Sequence, residues 1–242
     1  MSRLLALLLA ALPAAAIAAE LPKQVPPPGA VGAATLDGTV RGFSLGPRGT
    51  VTGLLLDDGA EVHVSRGLAA KLEAMVRPGD SVHVQGWRTV TPGVVTATAI
   101  TDARTRAAVV EPTAPAPPAL SGRSDQPRPL GLPPQGAAET TLKGRVLRPL
   151  HAADGRTDGA LLGDGMQLRL PPDAVGPVAR LLQPGEEIAA EGYAMHTPYG
   201  QVMSVQAIGT SPESLTPVAP GPAPPPLAPA VPAPGKPPGA GD

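Results

Sequence analysis

Thr35-Leu36-Asp37-Gly38-Thr39-Val40 returns as Thr141-Leu142-Lys143-Gly144-Arg145-Val146, an offset of 106 residues. The same offset carries Gly53-Leu54-Leu55-Leu56-Asp57-Asp58-Gly59 onto Gly159-Ala160-Leu161-Leu162-Gly163-Asp164-Gly165. It carries Arg77-Pro78-Gly79-Asp80 onto Gln183-Pro184-Gly185-Glu186 and Thr91-Pro92 onto Thr197-Pro198. Over residues 35–92, 15 of 58 aligned pairs are identical, and others are conservative, such as Val82 with Ile188 and Trp87 with Tyr193. Chance does not hold a register that long. The second copy then gains two residues, so that Ala99-Ile100 aligns with Ala207-Ile208. The chain therefore holds two homologous modules, 35–104 and 139–210, each serving as an alignment partner for the other.

Within each copy the apolar residues first recur with a period of two. Leu36, Gly38 and Val40, and likewise Leu142, Gly144 and Val146, alternate with polar residues as a half-buried strand requires. Val51 to Leu56 predicts a second strand, closed by a turn at Asp58-Gly59 and its counterpart Asp164-Gly165, where glycine accepts positive φ. Val62 and Val64, matched by Leu168 and Leu170, predict a third. The period then changes: Leu68, Leu72, Met75 and Val76 share one face of a short helix, as do Val175, Val178, Leu181 and Leu182. Pro177 falls in the first turn of the second helix, where its missing N–H costs little. Pro78-Gly79 stops the first helix, and Val82 and Val84, then Val95, Ala97 and Ala99, predict strands four and five.

Three strands, a helix and two strands in about 70 residues, with a glycine in the first strand and a Pro-Gly-Asp/Glu turn before the fourth, resemble the OB-fold barrel. The resemblance covers both modules and implies an all-β architecture of two tandem five-stranded OB-like barrels, each with one short helix. It further implies a protein that binds oligonucleotides or oligosaccharides on the face of strands two and three, flanked by the loops after strands one and four. The chain is similar to exported bacterial proteins built from such modules.

The rest of the chain is unlike a packed domain. Of 242 residues 34 are Pro and 29 are Gly, against four aromatic residues in all. Twenty of the prolines lie in two segments without apolar periodicity, 105–138 and 211–242, expected to be a disordered Pro-rich linker and a disordered Pro/Ala-rich tail. Segment 19–34 is expected to be disordered as well. At the N-terminus Met1-Ser2-Arg3 precedes an unbroken Leu/Ala run from Leu4 to Leu12, then Pro13 and Ala16-Ile17-Ala18. That is the layout of a signal peptide spanning 1–18, cleaved between Ala18 and Ala19. Cys is absent, which excludes lipidation after that site, disulfides, thiol catalysis and Cys-based metal centres. The mature chain is expected to be periplasmic or secreted, without stable membrane insertion.

Charge narrows the function. Nineteen basic residues against twenty acidic give net −1, and the modules alone come to zero and −2, which disfavours nucleic acid as a partner. The best-placed ligand-binding residues are Trp87 and Tyr193, at equivalent positions on the outward side of strand four, with Arg88 beside the first and Tyr199 in the longer loop of the second copy. Gly42-Phe43-Ser44-Leu45-Gly46 matches the serine-hydrolase G-x-S-x-G pattern, but a loop follows and not a helix, and Leu150 stands at the equivalent of Ser44. His63 and His83, each between two valines, are expected to be solvated surface residues and not metal ligands. The spacing of Asp154, Asp158 and Asp164 does not match an EF-hand loop. The expectation is therefore a non-enzymatic, exported binding or scaffold protein of the bacterial envelope, without cofactor or metal, whose partner is an envelope protein or carbohydrate. An oligonucleotide-binding protein and a structural spacer without a ligand are the alternatives.

Overall fold

A computed structural model of the chain describes residues 26–27, 29–111 and 136–218. The expected signal peptide with its Ala18/Ala19 cleavage site, residues 19–25 and 28 of the segment expected to be disordered, residues 112–135 of the expected linker and 219–242 of the expected tail lie outside the described residues, whereas Gly32 to Ala34 of the segment expected to be disordered begin the first strand.

The first module runs β1 (Gly32–Leu45), β2 (Val51–Leu56), β3 (Glu61–His63), α1 (Arg66–Met75), β4 (Ser81–Arg88), β5 (Val94–Asp102) and β6 (Ala108–Val110). The second runs β7 (Ala138–His151), β8 (Thr157–Leu162), β9 (Met166–Arg169), a 3-10 turn (Pro172–Ala174), α2 (Val175–Val178), β10 (Glu187–Thr197), β11 (Gly200–Gly209) and β12 (Thr216–Pro217). In the first module the strand order is β3-β2-β1-β4-β5, closed by a parallel β3–β5 pairing. The second repeats it as β9-β8-β7-β10-β11, closed by parallel β9–β11. Both modules are closed five-stranded barrels with the OB strand order.

The 14-residue first strand serves two neighbours, which requires it to bend. Its first half pairs with β4 and its second with β2, with register shifts between Val40 and Gly42 and between Ser44 and Leu45. In β7 the shifts fall between Val146 and Arg148 and between Leu150 and His151, the same positions plus 106. Bulges of this kind turn a barrel corner. Gly53 and Gly159 let the third strand cross the second closely: a Cβ there would lie 1.9 Å from the carbonyl oxygen of Val62 or Leu168.

The helix closes one end of the first barrel. Ser65 caps it, its hydroxyl accepting from Leu68 N, and Leu68, Ala69 and Leu72 face the core. The second helix is cut to one turn because Pro171-Pro172 starts a 3-10 turn and Gly176-Pro177 follows. Each barrel encloses an aliphatic core, around Leu56, Val82 and Ile100 in one and Leu162, Ile188 and Ile208 in the other.

The strands also reach past the spans expected from the repeat. β6 pairs with β5 and β12 with β11, so each barrel gains a sixth strand from residues read in the sequence as linker or tail.

Candidate functional site

The faces of strands two and three do not look into solvent. Every residue of β3 and β9 is buried, and both sides of β2 and β8 are covered almost throughout. Covering on both faces means that a second layer lies over the barrel wall, and that layer is the other barrel. Leu55 packs with Leu150 and Leu161 between the two.

The polar contacts repeat across this junction by the same offset. Gln167 Oε1 accepts from Leu45 N at 2.9 Å, and its Nε2 donates to Phe43 O at 2.7 Å. At the equivalent place Glu61 Oε2 accepts from His151 N at 2.9 Å, while its Oε1 lies 2.9 Å from His151 Nδ1. The first-to-second-strand loops meet the fourth-to-fifth-strand loops in the same way. Thr91 Oγ1 donates to Gly155 O at 2.6 Å, and a Cβ on Gly49 would come 2.9 Å from Thr197 Cγ2. Residues 49, 61, 45 and 91 thus correspond to 155, 167, 151 and 197. The junction is an isologous interface between homologous modules, built as a two-fold dimer interface would be.

It is not symmetric in charge. Arg169, 4% exposed, donates from Nε to Leu45 O at 2.7 Å and from Nη2 to Ser44 Oγ at 2.8 Å, and pairs with Asp158. Its counterpart is His63, only 6% exposed, whose Nε2 is buried without a hydrogen-bond partner. The expectation of a solvated His63 fails because the alternation that turns it out of its own barrel turns it into the neighbouring one. His83, in contrast, stays at the surface, its Nδ1 2.7 Å from Asp37. Burial pushes the His63 imidazole from 6.5 down to about 4, with the Glu61 charge pulling back and Arg169 and His151 adding to the depression. Burial acts to raise the Glu61 carboxyl, but the His151 ring and backbone N–H outweigh it, with Arg148 beyond, and hold it below the usual carboxylate range. Burial raises the Asp158 carboxyl against the pull of Arg169.

Trp87 is half-buried on β4, opposite Ala33 of β1 and Thr96 of β5. Arg88 follows it, exposed, its Nη2 donating to Ala33 O at 3.2 Å. Tyr193 stands half-buried on β10 between Glu139 and Ser204. The two aromatics keep their equivalence, one on each barrel, outside the junction's hydrogen bonds. Tyr199 is drawn into the junction instead: the turn after β10 sets its ring edge-on to Phe43, centroids 5.1 Å apart. With Glu73, Arg77, Pro78 and Pro198 the two rings line a shallow groove of about 400 Å³. Ser44 is 1% exposed and engaged by Arg169 and Thr52, so the G-x-S-x-G pattern marks a junction residue.

Sequence reasoning missed Glu61, His63, His151, Gln167 and Arg169. One signal was present: the outward residues of the third strand are long and polar in both copies, Glu61 with the isosteric Gln167 and His63 with Arg169.

No family model and no curated protein matches the chain. Among solved structures, the wild-type single-stranded DNA binding protein from Thermus aquaticus is similar at 14% identity, covering 80% of this chain and 96% of that one, with a TM-score of 0.23. A deletion mutant of that protein gives 14% identity, 73% and 92% coverage and a TM-score of 0.22. Likeness at that level carries no argument about function, and the tandem OB-like architecture rests on strand order and register.

Proposed function

We propose that this chain is an exported, non-enzymatic tandem OB-like protein of the bacterial envelope that acts as a binding or scaffold module for a protein or carbohydrate partner. One observation carries the choice. The surface with which OB barrels hold oligonucleotides, strands two and three with the flanking loops, is spent here on joining the two barrels. An oligonucleotide-binding protein needs that face open and basic, whereas this one is closed and the chain carries net −1. The outer side of the fourth strands, with Trp87 and Arg88 on one barrel and Tyr193 on the other, is then the aromatic surface left for a partner. The leader-like N-terminus supports export, and the burial of Ser44 supports a non-enzymatic role.

Two titrations test this. Soluble peptidoglycan fragments added to the mature chain should change Trp87 fluorescence saturably, and Trp87→Ala with Tyr193→Ala should abolish binding measured calorimetrically. A fluorescent single-stranded oligonucleotide should show no rise in anisotropy at physiological salt. Tight oligonucleotide binding would overturn the proposal in favour of the nucleic-acid reading, and silence in both titrations would favour a spacer.

A further inference from the structure

The two halves of the junction solve one problem with different chemistry. Where Gln167 bridges to Leu45 N and Phe43 O with a neutral amide, Glu61 bridges to His151 with a carboxylate. Where Arg169 has partners for its guanidinium in Leu45 O, Ser44 Oγ and Asp158, His63 has none for Nε2. One half of the interface therefore bridges through a neutral amide and a guanidinium, neither of which changes charge between neutral pH and mild acid. The other half holds a buried carboxylate, a histidine across the junction and a second histidine with an unsatisfied nitrogen.

We propose that the barrel–barrel junction is an acid-sensitive latch, opened by protonation of His63 and Glu61 while both barrels remain folded, and that opening uncovers the face of strands two and three. Opening gives His63 water for the nitrogen that lacks a partner, and a charged imidazole cannot be accommodated in the closed state beside Arg169 and His151. The groups facing His63 are Glu61 on its own strand, His151 of β7, Asp154 in the loop after β7, and Arg169 of β9. The neighbouring strands β2 and β5 bring no charge against it, pairing through Gly53 and Thr96. Glu61 also faces Arg148 of β7.

The direction follows from proton linkage. In the closed state the His63 value is depressed from 6.5 to about 4, so between these limits the opened chain holds one proton more. The ratio of open to closed then rises about tenfold per pH unit, about 300-fold over the window. Glu61, held low in the closed state, acts in the same direction: its contribution is present above its ordinary value and is lost as pH falls through the lowered one. Asp158, raised in the closed state, opposes the opening, because there it takes a proton more readily. Residues 112–135 keep the barrels on one chain, so opening is an expansion and not a dissociation.

The mature full-length chain, followed from neutral pH down to about 4 by small-angle scattering and far-UV circular dichroism, tests the latch. The radius of gyration should increase below pH 6.5 while the β signal is unchanged. Glu61→Gln with His63→Gln, which gives the first half the uncharged bridge of the second, should stay compact through the same range. Gln167→Glu loses the Nε2 donor to Phe43 O and sets a carboxylate against that carbonyl, so it should be expanded already at neutral pH with its β signal intact. A wild-type radius that changes only when the β signal is lost overturns the latch, as does a Glu61→Gln/His63→Gln protein that folds at neutral pH and expands where the wild type does. If that variant does not fold, the wild-type profile and the Gln167→Glu expansion still decide.

Discussion

Gly53 and Gly159 are identical across the repeat because the backbone leaves no room for anything else. The carbonyl oxygen that a Cβ would meet at 1.9 Å belongs to an adjacent strand, which cannot swing aside as a side-chain tip can. Gly86 and Gly192 are similar, 2.1 Å from Thr96 O and Ser204 O. Gly53→Ala should therefore cost more than about 2 kcal/mol in urea denaturation. Gly32→Ala, with nothing within 4 Å, should change stability by less than about 0.5 kcal/mol. Equal effects at the two positions would show that the close crossing is not held in solution. Trp87 is a different residue-scale case. Half-buried, it should lose about 1–2 kcal/mol on truncation to Ala, less than a core aromatic, and as the sole Trp its emission should lie between the buried and exposed limits. These glycines were legible as identities between copies. The reason for them was not, because a close approach between strands exists only once the register is known.

At the scale of elements, the five strands and the helix of each barrel could be read because their apolar residues alternate or recur at helical spacing and face the barrel's own interior. The third strands show where such reading ends. Glu61, His63, Gln167 and Arg169 occupy the polar side of an alternating pattern, which in one barrel means solvent, and only the docking of a second barrel makes that side interior. The sixth strands were missed for a related reason, since Ala108–Val110 and Thr216–Pro217 are too short to show a period. Arg169 gives this element its strongest test. Arg169→Met leaves Asp158, Ser44 Oγ and Leu45 O without their donor inside the junction, and breaking a buried pair costs about 3–5 kcal/mol, an upper limit here because Asp158 keeps 25% of its side chain exposed. Adding Asp158→Thr, which installs the counterpart of Thr52, should recover part of that loss. A double variant no more stable than Arg169→Met alone would mean that Asp158 is satisfied by water once Arg169 is gone.

At the scale of the whole molecule, duplication has produced a dimer within one chain, and divergence has made its halves unequal. Two copies of the second barrel would set Arg169 against Leu150 in place of Ser44, losing the hydroxyl that its Nη2 engages in the mixed pair. The mixed pair is thus favoured partly because the like pair leaves Arg169 Nη2 without its acceptor. The connection between the barrels also bears on the pairing. A tether of this kind supplies an effective concentration in the millimolar range, so a weak interface can be held closed by the chain alone. Two observations argue for more than that here: the Leu55, Leu150 and Leu161 cluster is almost wholly excluded from water, and hydrogen bonds cross the junction on both sides of the pseudo-two-fold axis. Cleavage at a protease site placed within 112–135 removes the tether and leaves the interface. The two fragments should then co-elute in gel filtration at micromolar concentration and neutral pH, and separate under mild acid where the intact chain expands. Fragments that part at neutral pH would show that the connection, and not the junction, keeps the barrels together, and the acid sensitivity would then have to be sought inside each barrel.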